Sequence, residues 1–236
     1  MAVYVYAITA GSHPARLDGL TGVGDPPEEL ATLAESGLTA IVSSVPEGLR
    51  ARRRDVMAHQ NVLHGLMADG AVLPLRFGMA ASEPQEIREA LKEHADFYRE
   101  RLQTLTGCAE YLLKATFDED LMLRQVLQDS AEAQRLNEES RHSGDPNIKI
   151  RLGEIVAGEL QARTDSAAAQ VLEALRPLAH ETQENEPHGN DFASISFLVE
   201  NARHKEFVTA EEELAERWGE GYQFRLHGPL PPYSFV

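Results

Sequence analysis

Val3-Tyr4-Val5-Tyr6-Ala7-Ile8 reads as the heart of a strand over residues 2–9. Five of the six residues are β-branched or aromatic, and the run is apolar on both faces. A strand of that kind suits the centre of a sheet, because a half-covered strand would alternate with polar residues. Gly11, Ser12 and Pro14 close it.

Outward from that strand, residues 19–27 are rich in turn formers: Gly19, Gly22, Gly24, Pro26 and Pro27. The glycine spacing there is wrong for a phosphate loop and no Lys-Ser/Thr follows, so the stretch reads as a turn. Residues 29–35 fit either a short strand or a helical turn. Leu38-Thr39-Ala40-Ile41-Val42-Ser43-Ser44-Val45 is a clearer strand, closed by Pro46 and Gly48. A helix is expected from about 52 to 69, with Val56, Leu63 and Leu66/Met67 as its apolar stripe and Gly70 as its C-cap. Residues 71–77 read as a strand that Pro74 confines to an edge, an end or a bulge. Ser82-Glu83-Pro84-Gln85 fits a capping box with Ser82 as N-cap. The helix it opens carries Ile87, Leu91, Ala95, Tyr98, Leu102 and Leu105 on one face and stops at Gly107; residues 109–117 follow as a strand.

From Asp118 the periodicity turns helical. One segment covers roughly 119–140, and a long helix runs from about 147 to 180 until Pro177 kinks or ends it. After a polar linker at 184–190 come a strand at 191–199, a helix at 204–218 and a strand at 221–227. Strands and helices mix without a steady βαβ rhythm, which argues for α+β rather than a doubly wound parallel sheet. Two domains are expected, an N-terminal α+β domain at 1–118 and a C-terminal α+β domain with long helices at 119–236. The second ends in an apolar, proline-rich tail at 228–236.

Composition narrows the functional classes. The 236 residues are 42% apolar and 25% charged, which excludes a disordered chain and a membrane bundle. Lys and Arg number 22 against 38 Asp and Glu, a net charge of −16. Residues 1–118 contribute −5 (11 basic, 16 acidic) and residues 119–236 contribute −11 (11 basic, 22 acidic). Neither a nucleic acid nor an anionic lipid membrane is an expected partner for such a chain. No secretory signal is read in the opening residues, and no run approaches a bilayer span. The lone Cys108 cannot form an intramolecular disulfide, which fits a reducing cytoplasm.

Chemistry-bearing patterns are few. His59 and His64 lie five apart on a helix, whereas zinc ligands on one helix face need four, so both read as structural or solvent-facing. Cys108 lacks a nucleophile signature and reads as a small packed residue. Arg50, Arg52, Arg53 and Arg54 form the one basic cluster, suited to an acidic partner surface or to a solvated helix start. Glu211-Glu212-Glu213 reads as first-turn charge on a helix. No catalytic residue, cofactor or metal site is expected. Two stretches stay unassigned: Leu73-Pro74-Leu75-Arg76-Phe77-Gly78 and Gly228-Pro229-Leu230-Pro231-Pro232-Tyr233-Ser234-Phe235. The second is semi-rigid and apolar, and such a chain end either tucks onto its own domain or is offered to another protein.

These two stretches, in this order behind the apolar-aromatic opening, resemble the gas vesicle protein F/L family across essentially the whole chain. Met79 stands where the family often has a small polar residue and Leu230 where it usually has Trp; both keep the apolar character. The resemblance implies a ferredoxin-like N-terminal domain, a C-terminal α+β domain and no enzyme activity. It implies an accessory protein of gas vesicle assembly, cytoplasmic and vesicle-associated. Its partners would be the hydrophobic main shell protein and other gas vesicle accessory proteins. The partner-contacting residues expected on this reading are Arg76, Phe77, Gly78, Pro229, Leu230, Pro231, Pro232, Tyr233 and Phe235. Its rivals are a minor structural component of the vesicle wall, a small-molecule-binding module and a Cys-dependent enzyme.

Overall fold

A computed structural model describes residues 1–219 and 221–236 of the chain. It divides into two compact units. The first comprises Met1–Tyr111, Leu198–Ala202 and Gly228–Val236; the second comprises Leu112–Phe197 and Arg203–His227. Where the sequence suggests a division at 118/119, the units divide after Tyr111. The tail groups with the N-terminal residues.

In the first unit the elements are β1 (Val3–Ala10), β2 (Ala31–Glu35), β3 (Leu38–Ser44), α1 (Arg53–Met67), β4 (Val72–Pro74), β5 (Ala80–Ala81), α2 (Pro84–Glu93) and α3 (Ala95–Leu105). The sheet order is β2-β3-β1-β4, with β5 also paired to β1, and every pairing is antiparallel. This is the strand order of a ferredoxin-like sheet, with a turn-rich loop in place of the first crossover helix. Of residues 29–35, Ala31–Glu35 resolves as strand because Ser36 and Gly37, at φ 51° and 74°, form the two-residue turn that joins β2 to β3.

β1 is central, and each of its faces is buried. Tyr4, Tyr6 and Ala7 join Ile41 and the α1 residues Val62, Leu63 and Leu66 in one apolar cluster. Val3 and Ile8 join Leu38, Ala40 and Val42 with Ile87, Leu91, Leu102 and Leu105 of α2 and α3 in the other. Tyr6 and Ala7 fall on the same side because the pairing to β3 slips one residue between Val5 and Ala7. A bulge re-aims side chains in this way.

Several local expectations shift. The buried face of α1 is Asp55, His59, Val62, Leu63 and Leu66, so the stripe excludes Val56, which is half-buried. Its C-cap is Ala68 and not Gly70. The N-cap of α2 is Glu83, one residue beyond Ser82, and makes no side-chain cap. Glu86, at the third helical position, instead reaches back to the Ser82 N–H at 3.0 Å and to its hydroxyl. The single helix expected up to Gly107 breaks at His94, whose ψ of 21° leaves the helical range.

The second unit holds α4 (Glu119–Asp129), α5 (Ala131–His142), α6 (Pro146–Leu175), β7 (Glu181–Glu184) and α7 (His204–Trp218). With them go the parts of β6 (Cys108–Phe117), β8 (Asp191–Glu200) and β9 (Tyr222–Leu230) that fall in that unit. The sheet order is β7-β8-β6-β9. The segment expected at 119–140 is two helices, because Ser130 caps α5 by accepting the Ala133 N–H. The long helix ends at Leu175, ahead of Pro177. β7 went unanticipated, and β9 runs on through Leu230. Glu211 sits in mid-helix, 7% exposed, and burial raises its carboxyl pKa, so it is not first-turn charge.

Candidate partner-binding site

The site begins with the bulged strand. β1 leaves Tyr4 and Tyr6 on the α1 face with ring centroids 4.7 Å apart. His59 of α1 stacks on Tyr6 at 5.5 Å and meets the edge of Phe77 at 5.8 Å. Its Nε2 lies 3.0 Å from the Leu75 carbonyl and its Nδ1 lies 2.9 Å from the Tyr4 hydroxyl. A carbonyl only accepts, so Nε2 carries the proton, and neutral Nδ1 accepts from Tyr4. Tyr4 Oη in turn accepts the Gly78 N–H at 3.1 Å. A second relay runs from the Val23 N–H to Tyr6 Oη at 2.8 Å, on to Ser43 Oγ at 3.0 Å, and to the Ser44 carbonyl at 2.9 Å. Burial raises both phenol pKa values and lowers that of His59.

These bonds fix the first unassigned stretch. The Met79 N–H donates to the Arg76 carbonyl at 3.1 Å, closing a four-residue turn over 76–79. Gly78, at φ 92°, takes the third position, which in this turn type requires a left-handed residue. The flanks are tied to β1 by Leu75 N–H to Tyr6 O at 2.8 Å and Val5 N–H to Met79 O at 3.0 Å. Arg76, Gly78 and Met79 stay exposed and Phe77 is half-buried. Beside the turn lies an apolar hollow of about 200 Å³ lined by Val5, Ile8, Leu75, Met79, Ile87 and Leu91.

The tail is docked, not free. Gly228 approaches so closely that a Cβ would sit 2.4 Å from the Tyr111 ring and 3.0 Å from the Glu110 carbonyl. Gly228, Pro229 and Leu230 belong to β9, and a short 3-10 turn, Tyr233–Phe235, follows. The Ser234 N–H and hydroxyl donate to the two carboxylate oxygens of buried Glu110 at 2.9 and 2.7 Å. Arg101 donates from Nε to the Phe235 carbonyl at 3.0 Å, and the Phe235 ring sits in the core, 5% exposed. Burial, then nearby Glu110, push the Tyr233 phenol up to about 12.

Of the nine expected contact residues, Pro231, Pro232 and Phe235 are buried; Arg76, Gly78 and Pro229 are exposed; Phe77, Leu230 and Tyr233 lie between. Phe77 and Tyr233 border the same apolar cluster, so the two stretches converge. Sequence reasoning missed Tyr4, His59, Arg101 and Glu110, the residues that hold both stretches in place. The Asp55–His59–Val62–Leu66 spacing on α1 was the available signal. Arg54 of the basic cluster pairs with Asp25 and, at 3.6 Å, with buried Asp55, while Arg50, Arg52 and Arg53 remain exposed. Cys108 packs against the core with its thiol 3.8 Å from the Thr106 carbonyl.

Comparison with known proteins agrees with this architecture. Gas vesicle protein F of Streptomyces sp. (strain CB03234) is 42% identical over 238 residues, covering 100% of both chains. Gas vesicle protein L1 of Halobacterium salinarum is 26% identical over 256 residues, covering 99% of this chain and 89% of its own. Two crystal structures share the fold. GvpF from Anabaena sp. PCC7120 matches with a TM-score of 0.82 at 23% identity, covering 99% of this chain and 97% of that one. GvpF from Microcystis aeruginosa matches with a TM-score of 0.82 at 21% identity, covering 99% and 98%. A family model described as gas vesicle synthesis protein GvpL/GvpF matches residues 2–236, and the chain belongs to that family.

Proposed function

We propose that this chain is a cytoplasmic accessory protein of gas vesicle assembly that binds the hydrophobic main shell subunit and acts by binding, without catalysis. The observation that carries this is the convergence of the 76–79 turn and the tail on one apolar cluster, with Arg76, Met79 and Pro229 left at the surface. An apolar subunit made in water aggregates unless its surface is covered, and a strongly acidic carrier keeps the complex soluble. Masking by apolar contact fits better than strand addition at β2. The two-residue turn makes Glu35 and Leu38 a hydrogen-bonded pair, so the backbone of Ala34 points outward, and the Arg88 guanidinium already holds its carbonyl at 2.7 Å.

The test is co-expression with the main shell subunit and capture on this chain. Met79→Ser with Arg76→Glu is expected to lower capture at least tenfold while the circular dichroism spectrum is unchanged. Ile150→Ser, an exposed site on α6, is expected to capture normally. The reverse pattern would move the contact to the second unit, and no capture by any form would reject the shell subunit as partner.

A further inference from the structure

We propose that Tyr4 and His59 form a proton-operated latch on the 76–79 turn, in which a proton arriving at His59 Nδ1 releases the Gly78 amide at the tip of the turn while its flanks stay bonded to β1. The proposal rests on the reading of that turn as the partner contact and names a way of regulating it.

In the neutral state each donor has one acceptor. The Gly78 N–H donates to Tyr4 Oη, the Tyr4 O–H donates to His59 Nδ1, and the His59 Nε2–H donates to the Leu75 carbonyl. Two of the contacts on the turn, those of the Leu75 carbonyl and the Gly78 amide, thus depend on a single imidazole, whereas the backbone bonds of Leu75, Val5 and Met79 do not. Protonation turns Nδ1 from acceptor into donor. Tyr4 Oη must then accept from His59, and its own proton loses its acceptor inside a cluster where the Tyr4 ring is flanked by those of Tyr6 and Phe77, at centroid distances of 4.7 and 6.0 Å. A buried hydroxyl without an acceptor is costly, and rotating the phenol to recover one breaks its bond to Gly78. The Leu75 bond survives, since Nε2 donates in either state. The release is therefore selective for the Gly78 side.

Burial favours the neutral state, against the carboxylates that face the cluster. From α1 itself comes Asp55, one turn before His59; its Oδ1 accepts the Gly24 N–H at 3.0 Å and pairs with Arg54 at 3.6 Å. From β1 come Tyr4 and Tyr6, from the tail Tyr233, which bears on Tyr4, and from the turn-rich loop Glu28, which bears on Tyr6. With His59 1% exposed, water cannot replace the lost acceptor without the cluster opening.

The experiment is nuclear magnetic resonance on the full chain between pH 7.5 and 4.5, with no partner present, so its failure is distinct from failure of the capture experiment. Ring nitrogen shifts follow His59, and amide exchange follows Gly78 against Ile41 in the core. His59 is expected to be the Nε2–H tautomer at neutral pH. The protection of Gly78 is expected to fall at least tenfold as His59 titrates, while Ile41 keeps its protection. His59→Gln offers one donor and one acceptor without titrating, and should hold Gly78 protected through the same window. Gly78 and Ile41 losing protection together would overturn the latch. So would an unchanged Gly78 once His59 is charged, or a Gly78 that is released in His59→Gln as well. Should that variant not fold, the wild-type comparison of Gly78 with Ile41 decides alone.

Discussion

A histidine folded into an aromatic cluster keeps its proton count low, and the sign of its effect on stability follows. Burial lowers the pKa of His59 below the ordinary imidazole value, so the unfolded chain binds a proton first as the pH falls. The stability His59 supports is complete above about pH 6.5 and declines below it, by up to about 1.4 kcal/mol per pH unit, until the folded state also takes the proton. Glu86 and Glu206, held low by hydrogen bonds from Ser82 and Arg203, act with the same sign in the acidic carboxylate range. Urea unfolding midpoints at pH 7.5 and 5.5 should therefore separate in the wild type and draw together in His59→Gln. Equal separations in both would assign the effect elsewhere. None of this was legible locally. The partners of Tyr4 lie 55 and 74 positions away, and a strand of β-branched and aromatic residues advertises packing, not where its hydroxyls will find acceptors. The histidine spacing ruled against a shared helix face for metal ligation but said nothing of Tyr4.

At the scale of elements, strands and helices were legible wherever one periodicity ran between strong punctuators. β1, β3, α7 and β8 lie within a residue of their expected bounds because apolar residues fill them and glycine, proline or a polar turn ends them. Boundaries set by subtler means were not. His94 breaks a continuous apolar stripe with neither Gly nor Pro to mark it, and Ser130 caps a helix inside a longer helical pattern. The tail is the instructive case. Its prolines suggest a semi-rigid segment that either tucks onto its own domain or is offered to a partner; in the fold Gly228 through Leu230 continue β9, and the rest packs onto Glu110 and Arg101. What fixes it is a buried carboxylate and an apolar socket supplied from elsewhere in the chain, which no composition reveals. Phe235→Ala should therefore destabilise the protein by about 3–5 kcal/mol, the usual cost of emptying a buried phenylalanine site. Truncation after His227 should go further, because it also strips Glu110 of both Ser234 donors and leaves a buried charge less satisfied. Thermal melts check both; a truncated chain that melts with the full-length one would mean the tail contributes no stability.

For the whole molecule, charge distribution and exposed apolar residues together say which contacts with a hydrophobic partner are affordable. A net charge of −16 keeps the body at the water side of any assembly, and ionic attraction to another acidic surface is not available to most of it. If the 76–79 turn carries the contact through Phe77 and Met79, with Arg76 only at its rim, capture of the shell subunit should survive salt. Charge interactions between exposed groups are screened within about 3 Å at 1 M ionic strength, whereas apolar burial is not weakened by it. If the contact is transient, it is held by few residues and yields to denaturant. Vesicles purified from cells making this chain should accordingly lose it on washing with urea, as followed by immunoblot of pellet and supernatant. Retention in the pellet would instead describe a chain built into the wall, where contacts on several sides add up and no single turn governs release. The two outcomes also separate at the level of the variant: Met79→Ser should lower capture in an assembly role, but a multiply held wall component would tolerate it.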